Sequence, residues 1–121
     1  MKTKITLVLG ASVNPQRFSN RAIRSLRKAG HTVYAIGLRE GQVTDVDIKT
    51  IKQIWTDVDT VTLYLSQKNQ KQYYDYIISL HPKRIIYNPG AENEELVKLA
   101  KENNIENLEA CTLVMLSTDQ Y

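Results

Sequence analysis

An early segment of the chain carries residue types that suit the binding of a phosphate group. It runs from Gly10 to Arg17, reads Gly-Ala-Ser-Val-Asn-Pro-Gln-Arg, and directly follows an apolar run. Glycine lets a backbone turn sharply, and a helix that starts after such a loop presents free N–H groups and the positive end of its dipole. We therefore predict an anion site here. Its candidate contacts are Gly10, Ala11, Ser12, Asn14, Arg17 and Ser19. The structural alternative is a plain strand-to-helix turn in which the two serines cap the helix.

This segment departs from the glycine fingerprint of dinucleotide-binding proteins. The fingerprint G-x-G-x-x-G needs three glycines, and its second and third places are taken here by Ser12 and Pro15. An NAD site also places an acidic residue at the end of the second strand, where this chain has a loop that includes Arg39. A cation there suits a further phosphate on the ribose, as in coenzyme A or NADP, although a solvated arginine is the structural alternative. The candidates that this loop adds are Gly37, Leu38 and Arg39.

Catalytic groups are not apparent in the sequence. Cys111 is the single cysteine and follows a predicted strand, a place that favours packing or pocket lining over a reactive thiol. His31 and His81 fall where a strand starts and a helix ends, and neither belongs to a motif with a serine or a cysteine. The acids between Glu92 and Glu95 open a helix, a position that favours negative charge. The sequence therefore predicts binding without catalysis and without a metal centre.

A run of cations overlaps the phosphate-binding segment. Five Arg and Lys residues fall within residues 17–28, which contain no Asp or Glu. Arg17 opens the helix and can reach the loop. Arg24, Arg27 and Lys28 are predicted to be solvated on the outer face of this helix. The buried face is predicted to consist of Phe18, Ala22, Leu26 and Ala29. No base-reading or aromatic stacking motif accompanies these charges, so nucleic-acid binding is not expected.

The elements that position these residues follow from apolar runs and helical periodicity. Strands are predicted at 4–9, 32–36, 60–65, 84–87 and 107–110, with a short edge strand around 52–55. Helices are predicted from Phe18 to a cap at Gly30, near 68–80 and at 92–103, with a helical turn near 47–51. Alternating strands and helices predict an α/β fold. Its expected form is a Rossmann-like, doubly wound and mainly parallel sheet of five to six strands in the order 3-2-1-4-5-6.

Such a sheet predicts where the remaining contacts lie. Ligands bind beyond the carboxyl ends of the strands, at the point where the strand order reverses. The loops that begin at Ser66, Asn88 and Cys111 should therefore converge with the two loops already described. Leu65, at the end of the fourth predicted strand, joins the candidates for the same reason.

Length and composition indicate one ordinary globular domain. The chain has 121 residues, of which 42% are hydrophobic and 24% charged, and its formal net charge is +3. Because a domain usually has about 100–150 residues, we predict a single domain over residues 1–121. The first apolar run, Ile5 to Leu9, is too short for a secretory signal or a membrane span. With one cysteine and no disulfide partner for it, the chain is expected to be cytoplasmic and to make no membrane contact.

Four segments, in this order, resemble the small single-domain coenzyme A-binding proteins. They are Gly10–Arg17, Gly37–Gly41, Asn88–Glu95 and Glu109–Leu116, and they span almost the whole chain. The chain is also similar, more distantly, to the coenzyme A-binding domain at the start of the succinyl-CoA synthetase α subunit. The resemblance implies a Rossmann-like domain whose first loop holds the pyrophosphate, with Arg39 where the synthetase has a lysine for the cofactor. It further implies a cofactor cleft lined by Asn88, Pro89, Gly90, Cys111 and Thr112.

The leading hypothesis is a module that binds coenzyme A or an acyl-CoA through its nucleotide-phosphate end, as a non-catalytic carrier or sensor. The phosphorylated histidine of the synthetase belongs to a later domain, so acyl-CoA synthesis is not implied. Two alternatives stay open: an NADP-dependent oxidoreductase or its remnant, and a protein-interaction subunit with a vestigial nucleotide site. The expected partner is a small-molecule nucleotide ligand, and a protein partner or a homodimer stays open as well.

Overall fold

The computed structural model describes residues 3–121 and shows a seven-stranded sheet between two layers of helices. The strands are β1 (Thr6–Ala11), β2 (Val33–Gly37), β3 (Gly41–Val43), β4 (Val46–Lys49), β5 (Thr60–Leu63), β6 (Arg84–Tyr87) and β7 (Glu106–Glu109). The helices are α1 (Phe18–Lys28), α2 (Gln67–Gln70), α3 (Tyr74–Ser79), α4 (Glu94–Glu102) and α5 (Thr112–Ser117). Within this described part, none of the helices combines the length and the apolar character needed to span a bilayer.

The sheet is parallel except at one edge. Its order is β3-β4-β2-β1-β5-β6-β7, and the β3–β4 pair is antiparallel while the other neighbours are parallel. β1 pairs with β2 on one side and with β5 on the other, so the strand order reverses between β1 and β5. This confirms the Rossmann-like α/β fold. The sheet differs from the predicted five to six strands in the order 3-2-1-4-5-6: it has seven strands, β4 takes the third place instead of the predicted strand around 52–55, and β3 is an additional edge strand.

The prediction of a helical turn near 47–51 is wrong. β4 occupies that place. Val46 and Ile48 are buried. Asp47 and Lys49 are exposed, so the segment has the two-residue alternation of a strand rather than a helical period.

The return from β4 to β5 runs through residues 50–59, which contain no helix or strand. The predicted edge strand around 52–55 is therefore wrong. Trp55 anchors this segment, because its ring stacks on Tyr34 with 4.5 Å between centroids and 3° between planes. The Tyr34 hydroxyl also donates to the carboxylate of Asp57 at 3.1 Å.

Two apolar layers hold the helices against the sheet. The layer beneath α1 and α5 includes Val8, Ile23, Leu26, Ala35 and Ile48. The layer beneath α3 and α4 includes Leu7, Leu9, Leu63, Ile77 and Leu96. Full burial of one such side chain contributes roughly 1.5–3 kcal/mol, so both layers keep the central strands and their ends in place.

The buried face of α1 differs from the predicted one at its first residue. Phe18 is 63% exposed, whereas Ile23, outside the predicted face, is fully buried. Ala22 and Leu26 are buried as expected, and Gly30 follows the helix with a positive φ of 90° that suits glycine. The Phe18 side chain therefore lies at the surface.

The helices after β5 and β7 also differ from prediction. The predicted helix near 68–80 is divided into α2, a 3-10 turn at Lys71–Tyr73, and α3. α5 has no counterpart in the prediction. It follows β7 after two residues and packs Leu116 against the layer beneath α1.

Candidate functional site

The first candidate loop leaves the sheet at a point where the backbone is crowded. Gly10 has a φ of 94°, and a Cβ atom there would lie 2.6 Å from the carbonyl oxygen of Tyr64, just after β5. A Cβ atom at Gly37 would collide with the carbonyl oxygen of Ala11. The end of β1 is thus enclosed by the backbone on both sides. The loop begins at the reversal between β1 and β5, where a doubly wound sheet binds ligands.

Ser12 and Asn14, which the sequence predicts as ligand contacts, also fix the conformation of this loop. The Ser12 hydroxyl accepts a hydrogen bond from the Asn14 N–H at 3.1 Å, and the Asn14 side-chain oxygen accepts one from the Gln16 N–H at 3.0 Å. The Asn14 carbonyl then accepts from the Arg17 N–H at 3.1 Å. These bonds wind the loop into the start of α1.

The N-terminus of α1 is left open to an anion. Arg17 is the N-cap residue, with an extended backbone, and no side chain among residues 3–121 caps the helix. The alternative in which Ser12 and Ser19 cap the helix is therefore wrong. Ser19 is 4% exposed, inside the first turn, and this turn contains no acidic residue. The N–H groups of a first turn lack partners within the helix, so they remain available to a ligand beside the exposed Arg17.

Two side chains that sequence analysis did not assign to the site hold the loop from behind. The Asn20 amide donates to the Ser12 carbonyl at 3.0 Å. Arg24 donates to the Asn20 side-chain oxygen at 2.8 Å and to the Pro15 carbonyl at 3.0 Å. Arg24 is exposed on the outer face of α1 as predicted, but it also has a structural role that the sequence did not indicate. We call Asn20 and Arg24 together the loop brace.

Arg27 also departs from the prediction of a solvated side chain, because it is paired with Asp45. Its guanidinium donates to both carboxylate oxygens of Asp45, in the turn between β3 and β4, at 2.8 and 2.7 Å. This pairing lowers the pKa of Asp45 to about 2, chiefly through the hydrogen bonds from Arg27. A third bond runs from Arg27 to the His31 carbonyl at 2.8 Å. Arg27 thus fastens the edge hairpin to α1.

The loop after β2 lies beside the first loop. Leu38 is 93% exposed, and Arg39 is exposed without a hydrogen bond or ion pair to any described residue. A Cβ atom at Gly41 would collide with the Val13 side chain, which shows that the two loops touch. The guanidinium of Arg39 is therefore free to meet an anion at this edge.

The loop after β6 is fastened by a buried polar cluster. Asn88 is 2% exposed, and its amide donates to the Thr62 hydroxyl at 2.7 Å and to the Leu63 carbonyl at 2.8 Å. Its side-chain oxygen accepts from the Thr112 N–H at 2.9 Å. The hydroxyls of Thr62 and Thr112 are 2.8 Å apart and both residues are fully buried. The side chains of Asn88 and Thr112 therefore position the loops. The part of these loops that remains available to a ligand is the neighbouring backbone.

A second buried cluster joins the loops after β5 and β6. Gln70 donates to the carbonyls of Leu65 and Ala91, each at 2.8 Å. Its side-chain oxygen accepts from Asn93 at 2.9 Å, and Asn93 caps α4 by accepting from the N–H groups of its first turn. The partially exposed Leu65 is therefore held beside the exposed Pro89 and Gly90 loop. Sequence analysis missed this cluster, because its members lie far apart in the chain.

Cys111 lies at the N-cap of α5, beyond the end of β7, and is partially exposed. Both histidines lie at the opposite, amino-terminal ends of the strands: His31 precedes β2, and His81 precedes β6. No cluster of His, Cys, Asp and Glu within residues 3–121 could hold a metal ion. The described residues thus give Cys111 no histidine base.

The candidate loops form one continuous row. They follow β2, β1, β5, β6 and β7, which are consecutive neighbours in the sheet. With about 4.8 Å between neighbouring strands, the row extends over roughly 19 Å. It carries an open helix N-terminus and two exposed arginines near one end and Cys111 at the other. An elongated ligand with its anionic part at the β1–β2 side fits this arrangement.

A groove of about 600 Å³ lies at the opposite end of the sheet and does not belong to this row. Its lining includes Lys4, Trp55, Asp57, Asp59 and Lys83. Charges of both signs meet there, so it lacks the character of an anion site.

Solved structures share this fold over nearly the whole chain. A structure described as an uncharacterized protein is 43% identical, covers 100% of both chains and has a TM-score of 0.97. A hypothetical protein from Pyrococcus horikoshii OT3 is 24% identical, with 96% of this chain and 82% of that chain covered and a TM-score of 0.84.

A dinucleotide-forming acetyl-coenzyme A synthetase 1 from Ca. Korarchaeum cryptofilum, in complex with phosphate and ADP, is similar over 88% of this chain and 25% of its own. Its identity is 19% and its TM-score 0.74, so it shows the fold alone. None of the curated proteins matches the chain. A family model described as a CoA binding domain matches residues 4–117. On this match over almost its entire length, the chain belongs to the CoA binding domain family.

Proposed function

We propose that this protein binds coenzyme A or an acyl-CoA through the nucleotide-phosphate end, as a non-catalytic carrier or sensor. The observation that carries the proposal is the uncapped N-terminus of α1. It follows a loop that only glycine can begin, it has no acid in its first turn, and Arg17 stands at its entrance. Family membership gives the ligand class.

The proposal assigns each part of the ligand to part of the row. The pyrophosphate lies on the loop from Gly10 to Arg17 and on the first turn of α1, where N–H groups and the helix dipole favour negative charge. The 3′-phosphate of the ribose meets Arg39. The pantetheine arm then crosses the ends of β5 and β6, past Leu65 and the Pro89–Gly90 backbone, and its sulfur end lies toward Cys111.

Binding without turnover is favoured by the placement of the titratable groups. A thioester hydrolase needs a nucleophile within reach of a base, and both histidines lie at the other end of the strands from Cys111. The synthetase likeness covers only 25% of that enzyme, so we propose no ligase activity from it. An NADP-dependent oxidoreductase is less well supported, because Ser12 and Pro15 replace two glycines of the dinucleotide fingerprint.

The ligand and the lack of turnover can be tested on the purified protein. Native mass spectrometry should show a coenzyme A species on the freshly isolated protein, and NADP in its place would favour the oxidoreductase alternative. Incubation with acetyl-CoA and with longer acyl-CoAs should release no thiol above background. Sustained thioester cleavage that disappears in Cys111→Ser would overturn the non-catalytic assignment.

The same proposal includes three further points: a cytoplasmic location, a nucleotide ligand as partner and one domain over residues 1–121.

A further inference from the structure

The loop brace connects two side chains of α1 to two carbonyl groups of the first candidate loop, residues 10–17, which we call the anion loop. The Ser12 carbonyl receives the Asn20 amide, and the Pro15 carbonyl receives the Arg24 guanidinium. Arg24 also holds the Asn20 side-chain oxygen, so the two residues act as one connected unit. Asn20 is 3% exposed, whereas Arg24 is exposed and reaches the loop from the outer face of α1.

The carbonyl groups that the brace occupies would otherwise oppose an anion. A loop that binds phosphate must turn its N–H groups toward the ligand and keep its carbonyl oxygens away from it. Donors from Asn20 and Arg24 hold the carbonyls of Ser12 and Pro15 on the α1 side. The loop is thereby ordered before ligand arrives, which lowers the entropy cost of binding.

We propose that Arg24 is a positioning residue for the anion loop, acting through its two-pronged bond to Asn20 and Pro15 and not by contact with the ligand. The inference rests on the proposed function, because it takes the pyrophosphate of coenzyme A as the anion. The planar fork of arginine is needed, since lysine is a point charge on a flexible stem and cannot hold both acceptors in the same geometry.

Six proteins test this proposal: wild type, Arg24→Ala, Arg24→Lys, Asn20→Ala, the double variant Asn20→Ala/Arg24→Ala and Arg21→Ala. Arg21 is the matched control. It lies one turn from Arg24 on the exposed side of the same helix, its guanidinium is 5.5 Å from the Phe18 ring centre, and its side chain makes no hydrogen bond to residues 10–17. Each protein is titrated calorimetrically with coenzyme A and with 3′-dephospho-coenzyme A. Inorganic pyrophosphate is titrated in parallel while the amide signals of residues 10–17 are followed by NMR.

We expect a loss of affinity whenever the planar guanidinium group of Arg24 is removed, whether or not the positive charge is kept. Arg24→Ala and Arg24→Lys should both weaken all three ligands by about five- to tenfold, because the loop loses its preorganisation. Arg21→Ala should bind as wild type does. Asn20→Ala should weaken binding by a similar factor and add little to Arg24→Ala, because the two residues act as one unit.

Other outcomes separate this inference from the proposed function. Wild-type affinity in Arg24→Lys would show that charge alone matters and would overturn the positioning role. Equal losses in Arg21→Ala and Arg24→Ala would overturn it as well, as would pyrophosphate that leaves the amides of residues 10–17 unmoved in wild type. If pyrophosphate binds in an Arg24-dependent way while coenzyme A does not bind, the positioning role stands and the proposed ligand is wrong.

Discussion

Gly10 and Tyr64 meet backbone to backbone at the point where the strand order reverses. A Cβ atom on Gly10 would lie 2.6 Å from the Tyr64 carbonyl oxygen, and the φ of Gly10 is 94°. Both facts exclude a side chain at this position. The approach lets β1 end directly against the chain that leaves β5, so the anion loop starts where the strand order reverses, near one end of the candidate row.

Replacement of Gly10 should therefore destabilise the fold. Gly10→Ala is expected to lower the free energy of unfolding by about 2–4 kcal/mol, because a positive-φ penalty and a backbone clash add together. Gly90→Ala is the matched control, since Gly90 has a φ of 92° but nothing within 4 Å of its added Cβ atom. It should cost about 1–2 kcal/mol, the penalty for φ alone. Urea denaturation measures both, and equal losses would show that the clash with Tyr64 is relieved by movement.

Arg39 is expected to recognise the 3′-phosphate. A charge-assisted hydrogen bond contributes roughly 1.5–3 kcal/mol, so Arg39→Ala should weaken coenzyme A binding about ten- to a hundredfold. Binding of 3′-dephospho-coenzyme A, which lacks the partner phosphate, should change little. Arg21→Ala serves as the control for a lost surface charge. Calorimetric titration of the variants with both ligands completes the cycle. An equal loss of affinity for the two ligands would mean that Arg39 contacts the pyrophosphate or orders the loop instead.

Asn88 should stabilise the protein more than a typical asparagine does. Its side chain makes three hydrogen bonds to Thr62, Leu63 and Thr112 while 2% exposed. Asn88→Ala leaves these buried partners unsatisfied and is expected to cost about 2–4 kcal/mol of unfolding free energy. The exposed Asn69 is the control, and Asn69→Ala should stay within about 0.5 kcal/mol of wild type. Comparable small effects in the two variants would contradict the role given to the Asn88 cluster.

His31 should make stability depend on pH below neutrality. It is 1% exposed and its Nδ1 accepts the Lys4 N–H at 2.9 Å, so its Nε2 carries the proton. Burial lowers the pKa of His31, and the nearby charges of Lys4 and Arg84 lower it further. A histidine of depressed pKa contributes stability that is present above its unfolded value of about 6.5 and is lost as the pH falls through the native value.

The variant His31→Gln, which can still accept the Lys4 N–H, isolates this effect. Between pH 7.5 and 5, wild type should lose more unfolding free energy than His31→Gln does, by up to about 1.4 kcal/mol per pH unit below 6.5. His81→Gln, at an exposed position, should follow wild type. Parallel pH dependence in wild type and His31→Gln would contradict the assignment.

The fold was predictable where local sequence and tertiary packing agree. β1 and β2 are apolar runs that each end at or next to a glycine, and β6 lies at the predicted 84–87. The hairpin of β3 and β4 was mistaken because its strands have three and four residues, too few to show their period clearly. α5 was missed for a similar reason, since its six residues are too short for an apolar face to stand out.

The loops of the candidate site were predictable from the sequence, but the side chains that hold these loops in place were less so. The glycine loop, the Arg39 loop and the Asn88 loop all lie at the carboxyl ends of neighbouring strands, as the expected topology requires. Which side chains contact a ligand stays a prediction. The roles of Arg24 and Gln70 could not be read from the sequence, because each depends on a carbonyl whose direction is set only when the loop is folded.

The most direct test of the central proposal is thermal unfolding of the purified protein with coenzyme A, NADP and NAD added separately. A ligand that binds only the folded state adds about 2.7 kcal/mol at a hundredfold excess over its Kd, so coenzyme A should raise the midpoint clearly while the two dinucleotides leave it unchanged. A rise with NADP or NAD and none with coenzyme A would contradict the proposal.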